Sequence, residues 1–208
     1  MQRCLITVFV VLATAFAAQA EPRPASANPA DAPAGRYVLD KAHASLTARV
    51  SHMGLSSYTM RFNGLDAHYD YDPAMPEDSR VEVTVEAASL DVGKPSLDRD
   101  FARAFLDAEA FPMISFTSTA IRRDGVHGTL TGDLTLRGVS RPVTLDVTFN
   151  GCGPGFLGIG GYRMGFSATG DIKRSDFGSK QWLGLVGDNV HLVIEVEFER
   201  QRGPPEKG

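Results

Sequence analysis

From Leu46 to Phe198, apolar and polar residues alternate in segments of strand length. Leu46, Ala48 and Val50 interleave with Thr47, Arg49 and Ser51; Val81, Val83 and Val85 with Glu82, Thr84 and Glu86; Leu192, Ile194, Val196 and Phe198 with Val193, Glu195 and Glu197. Side chains two apart share a face of a strand, so each segment predicts one apolar and one polar face. Strands are predicted near Tyr37–Asp40, Ser45–His52, Ser57–Phe62, Leu65–Tyr71, Arg80–Leu90, Ile114–Arg122, Val126–Arg137, Val143–Asn150, Tyr162–Lys173 and Val190–Arg200. Asn63-Gly64 and Asp124-Gly125 tolerate positive φ, and each predicts a tight antiparallel hairpin. There is too little helix to cover so many strands, so the sheet must cover itself as a barrel, either filled or hollow.

One segment breaks the period. Between Ser96 and Asp107, Leu97, Phe101 and Phe105 recur at helical spacing, with Ser96 as N-cap and Pro112 limiting extension. This short helix has an aromatic face that must be buried, and a plug or lid over a barrel mouth suits it better than outward packing.

The ends of the chain read differently. Arg3, the apolar run Leu5–Ala18 and the small residues Ala18-Gln19-Ala20 predict a secretory signal peptide over residues 1–20 and export to the periplasm. Residues 21–35 hold Pro22, Pro24, Pro29 and Pro33 among alanines and predict a disordered linker. Residues 36–202 are left as one domain, and 203–208, with Pro204 and Pro205, as a frayed tail. Loss of Cys4 with the leader leaves Cys152 alone, which rules out an internal disulfide. The 21 Lys and Arg stand against 25 Asp and Glu, a net charge of -4 that becomes -5 without Arg3. That balance disfavours nucleic acid and anionic membrane surfaces, and after cleavage no segment is long and apolar enough to span a bilayer as a helix.

Motifs for chemistry fail on context. Gly153 to Gly158 spells G-x-G-x-x-G, but the dinucleotide fingerprint must open a helix, and a long alternating strand follows here. His43, His52, His68, His127 and His191 lack ligand spacing, so no metal is expected. His68, His127 and His191 should face outward, whereas His52 continues the inward face and is read as a buried polar group at the cavity rim or as plain packing. Ser51 and His52 are adjacent in a strand and point to opposite faces, so they form no dyad. Arg174, Ser175 and Asp176 read as a turn clasp at a strand end.

Five blocks carry a family resemblance. They are Asp40–Ser45; His52-Met53-Gly54 leading through Tyr58 to Phe62; Phe111–Ser118; Gly128–Gly138 continued by Arg141-Pro142-Val143; and Arg174–Gly178. In this order and spacing, over nearly all of Tyr37 to Arg200, the chain resembles the YceI-like polyisoprenoid-binding family. One departure lies in the helix, where Arg99-Asp100 is followed by Phe101-Ala102-Arg103 and not by the histidine-leucine lead-in of relatives. The resemblance implies an all-β fold, an extended antiparallel lipocalin-like barrel of about eight strands, with one short helix near a mouth. It further implies a non-catalytic periplasmic protein that holds an isoprenoid, polyprenyl or quinone-type, as ligand, with no cofactor.

Fatty acids or fatty amides are the alternative ligands. An enzyme or redox accessory acting on a bound quinone head, and a filled barrel used for protein interaction, are alternatives of other classes. A homodimer and a membrane partner that handles quinones are the protein partners such a role admits. The ligand-contacting positions expected are Val50, His52, Met53, Leu55, Met60, Phe62, Tyr69, Val83, Phe101, Phe105, Phe116, Leu134, Phe149, Met164, Phe166 and Trp182, with Met53 and Leu55 as rim residues and Tyr69 or His52 able to hydrogen-bond a head group.

Overall fold

A computed structural model of the chain describes residues 26–155 and 161–201. The expected signal peptide, residues 21–25 of the expected linker, the tail and part of the glycine-rich loop lie outside the described residues.

The strands are β1 (Gly35–His52), β2 (Ser56–Phe62), β3 (Leu65–Tyr71), β4 (Arg80–Glu86), β5 (Leu90–Asp91), β6 (Met113–Asp124), β7 (His127–Leu136), β8 (Val139–Pro154), β9 (Tyr162–Lys173) and β10 (Val186–Arg200). All pairings between them are antiparallel. The order runs β10-β9-β8-β7-β6-β4-β3-β1, and β1 pairs again with β10 from Tyr37↔Arg200 to His52↔Val186, which closes an eight-strand barrel. Closure removes most of the sheet edge that would otherwise template aggregation. The parity read from the sequence holds: Val50, Val85, Phe116 and Phe198 point inward and are buried. Outside, Lys41 meets Asp66 at 2.7 Å and His68 meets Glu82 at 2.9 Å. An apolar inside and a charged outside invert the pattern of a membrane-spanning barrel. Among the described residues no helix is long and apolar enough to cross a membrane.

Two turns behave differently from each other. Asp124-Gly125 closes the β6–β7 hairpin, with Gly125 at φ +62°. Asn63-Gly64 does not close one, contrary to expectation. β2 and β3 lie end to end along the same side of β1, β2 against Leu46–His52 and β3 against Gly35–Val38. The reason is the length of β1: at 18 residues it offers each segment its own stretch of ladder, and Gly64 carbonyl accepts from Glu86 N–H (2.8 Å) at the step between them.

That arrangement leaves a gap. β5 pairs only with Arg61 and Phe62, so among the described strands none lies beside the outer edge of β2 from Ser56 to Met60. A helix lies near this gap, with its Phe101 ring 6.1 Å from that of Tyr58 in β2. It is α1 (Pro95–Phe101), extended by a π-turn over Ala102–Leu106 that ends at Asp107 in the left-handed region, φ 53°. The start differs from expectation: Pro95 occupies the first turn and Lys94 the cap position, so Ser96 is inside the helix. Asp98 carboxylate instead accepts from Val92 N–H at 2.9 Å. Arg137, at the β7–β8 turn, donates to Phe105 carbonyl (3.3 Å) and holds the far end of the segment.

The N-terminal segment is a correction. From Ser26 onward the expected linker is ordered: Ser26 bridges Cys152 through two backbone bonds of 2.9 Å, and Asn28 caps a short 3-10 turn over Pro29–Asp31 by accepting from Ala30 N–H. Ala32 is fully enclosed. Proline here shapes a strap across one end of the barrel, because the prolyl carbonyls, free of any ladder, accept from side chains of the barrel.

Candidate functional site

The inward side chains do not fill the barrel. They surround a cavity of about 430 Å³ that runs from Pro29 at the strap to Phe105 and Trp182 at the helix, a size typical of small-molecule sites. Its wall is almost wholly carbon. In the middle stand Phe62, Val83, Phe116 and Leu134. Gly132 lets the Phe116 ring lie against β7, since a Cβ there would fall 2.5 Å from the ring and from Thr117 carbonyl.

At the strap end the wall is aromatic. Tyr69 lies 5.4 Å from Tyr71, 5.8 Å from Phe166 and 6.1 Å from Phe198, ring centre to ring centre, and Phe149 lies 5.4 Å from Phe166. Such tilted and edge-on pairs add to burial. Burial pushes the Tyr69 and Tyr37 hydroxyls well above the usual tyrosine range, so both stay protonated. Outside this end Arg163 sits among Asp40, Glu197 (3.1 Å) and Glu199 (3.4 Å). The hydrogen bond from His43, followed in effect by that from Arg163, lowers Asp40 to about 2. Asp40, His43 and Glu197 are grouped closely enough for a cation, but the Arg163 guanidinium already occupies the carboxylates.

At the helix end the closure is made of side chains. Phe101 stacks at 6.1 Å on Tyr58, whose hydroxyl donates to Val92 carbonyl (2.9 Å). Phe105 lies 5.6 Å from Phe101 and 5.5 Å from Trp182. Behind Phe105, Arg174 is 5% exposed and donates to the carbonyls of Gly187 (2.8 Å), Ser179 (2.9 Å) and Val186 (2.9 Å), with its guanidinium 5.4 Å over the Phe105 ring. It is the turn clasp that the sequence suggests. Its carboxylate is not the partner expected, however: Asp188, and not Asp176, accepts from Ser175 through N–H (2.9 Å) and hydroxyl (2.7 Å). Burial lowers the pKa of Arg174, and those two Ser175 bonds lower that of Asp188. Among the described residues the Ser179 hydroxyl, 3% exposed and on the cavity wall, has no hydrogen-bond partner.

Of the expected contact positions, Val50, His52, Met60, Phe62, Tyr69, Val83, Phe101, Phe105, Phe116, Leu134, Phe149, Met164, Phe166 and Trp182 lie on the wall. Met53 and Leu55 do not. They are 55% and 82% exposed in the β1–β2 turn, because the strand pairing ends at His52 and Ser56 and releases the turn outward. His52 is on the wall but exposed, not buried: it stands at the end of β1, 6.4 Å from the Tyr58 ring. Ile172, Leu192 and Ile194 also line the cavity, and their parity in the alternation would have found them. Pro29 and Ser179 carry no such signal.

A closed antiparallel barrel, polar outside and hollow and carbon-lined inside, with one end capped by a short helix, defines the class of small hollow β-barrels. Residues 37–198 match the model of the YceI-like domain, and the chain belongs to that family. It is 40% identical to a UPF0312 protein of Pseudomonas fluorescens over 173 residues, 79% of this chain and 86% of that one. It is 37% identical to Protein YceI of Escherichia coli O157:H7 over 172 residues, 81% and 89% of the two chains. Among solved structures, BcnA of Burkholderia cenocepacia is similar, with a TM-score of 0.65, 25% identity, and 76% of this chain and 98% of that one covered.

Proposed function

We propose that the protein is a non-catalytic periplasmic binder that holds one long apolar chain, an isoprenoid of polyprenyl or quinone type, inside the barrel. The observation that carries this reading is the continuous apolar wall from Phe105 to Tyr71, with polar groups such as Arg174 and Ser179 at the helix end. A polyisoprenoid has almost no hydrogen-bonding groups, so its affinity must come from apolar area removed from water, about 0.8 kcal/mol per buried CH₂. A five-carbon unit is worth roughly 4 kcal/mol gross on that scale, much of it offset by ordering the chain. Export by the leader read in residues 1–20 supports the compartment. The opposite orientation of Ser51 and His52 in β1 supports a role without nucleophilic chemistry.

A fatty acid or fatty amide is the second reading. Among the described residues the buried Ser179 hydroxyl has no partner and Arg174 uses three of its five N–H groups, which suits an oxygen-bearing head group at the helix end.

The test is mass spectrometry of the organic extract of protein exported with its own leader and purified without detergent. A stoichiometric prenyl lipid is expected, and a fatty acid or amide in its place would select the second reading. No stoichiometric lipid, together with no uptake of prenyl alcohols or fatty acids by the apoprotein, would overturn both.

A further inference from the structure

The cavity has a floor that does not belong to the barrel. Pro29, in the strap, lines the cavity on one side. With Arg123, Gly125 and Val126 it also lines a shallow recess on the outer surface. These residues are therefore the partition between the barrel interior and solvent at that end.

The strap is fastened by hydroxyls from three separate parts of the barrel. Tyr71, at the end of β3, donates to Pro29 carbonyl (2.7 Å); Tyr162, at the start of β9, donates to Asp31 carbonyl (3.1 Å); Tyr37, in β1, donates to Pro33 carbonyl (2.7 Å). Arg200 adds two bonds to Ala34 carbonyl, at 3.0 and 2.7 Å. Each acceptor is a strap carbonyl that no strand partner uses, and each donor is a side chain anchored in a strand. The strap is thus a separate piece of chain held in register across the opening, and without it the aromatic end would be a second mouth.

We propose that the strap Ser26–Ala34 is the chain-length stop of the cavity, with Pro29 as its floor and the tyrosine hydroxyls fixing its height. This rests on the reading that the cavity holds an apolar chain. Given that, affinity rises with each isoprene unit while the added carbons find wall, and stops rising when the tail reaches Pro29, because further units must stay in water at the helix end. The residues that select chain length are then Pro29, Tyr71 and Tyr162, well away from the head group.

The experiment is a series of prenyl alcohols of increasing length, bound to the full chain and followed by the fluorescence of Trp182, the one tryptophan, which lies on the cavity wall. The native protein is expected to show a break, the length beyond which affinity is flat. Tyr71→Phe with Tyr162→Phe keeps both rings and removes two fastenings. The break should move to longer chains, with about tenfold tighter binding of the first alcohol beyond the native break.

Adding Ser26→Cys places a thiol opposite Cys152 in a bridged backbone pair, a spacing a disulfide can span. Oxidation should return the break to its native position and reduction should release it again. Pro29→Leu in the otherwise native chain raises the floor and should move the break to shorter chains.

A break that stays in place in the folded double-tyrosine variant, or in folded Pro29→Leu, overturns the stop. If no prenyl alcohol of any length binds the native protein, the failure lies in the lipid-binding reading itself.

Discussion

The two ends of the barrel differ in what spans the opening. At the strap end, hydroxyls from strands reach backbone carbonyls, and the polar atoms of Tyr37, Tyr71 and Tyr162 are all partnered. At the helix end the segment is tied at its edges by hydrogen bonds, Val92 N–H to Asp98 and Arg137 to Phe105 carbonyl, but across the mouth rings meet rings, Phe105 against Trp182 and Phe101 against Tyr58, and the buried Ser179 hydroxyl has no partner among the described residues. A directional bond fixes a position and is costly to leave unmade. Stacked rings give up contact gradually, so a closure made of them can part and re-form. On the proposed reading the strap is a fixed floor and the helix end a yielding lid, so a guest entering there would leave its polar end beside Ser179.

The comparison is open to attack at several points. The largest effect is expected for Phe166→Ala, which removes a ring shared by Tyr69, Phe149 and Phe198 and should cost about 3 kcal/mol in denaturant unfolding. Phe105→Ala at the opposite end should cost only about 1 kcal/mol, yet speed lipid release about tenfold in stopped-flow displacement. Equal release rates for the two variants would remove the distinction between lid and floor. Tyr37→Phe leaves Pro33 carbonyl without its donor and should cost about 1 kcal/mol, with no change in release rate.

The strap end should also respond to pH. Burial holds Tyr162 at about 12 against an ordinary value of 10, so the folded state keeps a proton that the unfolded state has lost. Stability contributed by this group is complete below pH 10 and falls as pH rises towards 12. For Asp40 the sign reverses. Held at about 2 against 3.8, first by its His43 hydrogen bond, it contributes above pH 3.8 and is lost as pH falls towards 2. Thermal melts across both ranges check these slopes. The smallest effect belongs to Leu55→Ser in the exposed turn, expected within about 0.5 kcal/mol of the native stability and without effect on lipid affinity.

The barrel was legible because parity is local: alternation at Leu192–Phe198 or Val81–Val85 states which side chains face inward whatever the strands pair with. Pairing itself is not local. Asn63-Gly64 has the composition of a hairpin turn, and only the length of β1 makes it a step between two collinear strands. The order of the strap is hidden in the sequence for a related reason. Its order comes from tyrosines 40 and more residues away binding backbone carbonyls, and carbonyls are present in every sequence. Most of the expected contact positions lie on the cavity wall because parity turns them inward. Met53 and Leu55 are only close in sequence to the mouth, and the turn carries them outward. Ser179 gave no signal at all, since an unsatisfied hydroxyl is a property of its surroundings.

The outer edge of β2 has a further consequence. From Ser56 to Met60 that edge has no strand beside it among the described residues, and its contact with the helix is the Phe101 ring on Tyr58. Parting the two therefore breaks none of the hydrogen bonds that hold the strands together. In hydrogen exchange the amides of α1 and of the β2 edge should trade deuterium through a low-energy local opening, while those between β1 and β10 wait for the whole molecule to unfold. The barrel can thus breathe along one seam without loosening anywhere else.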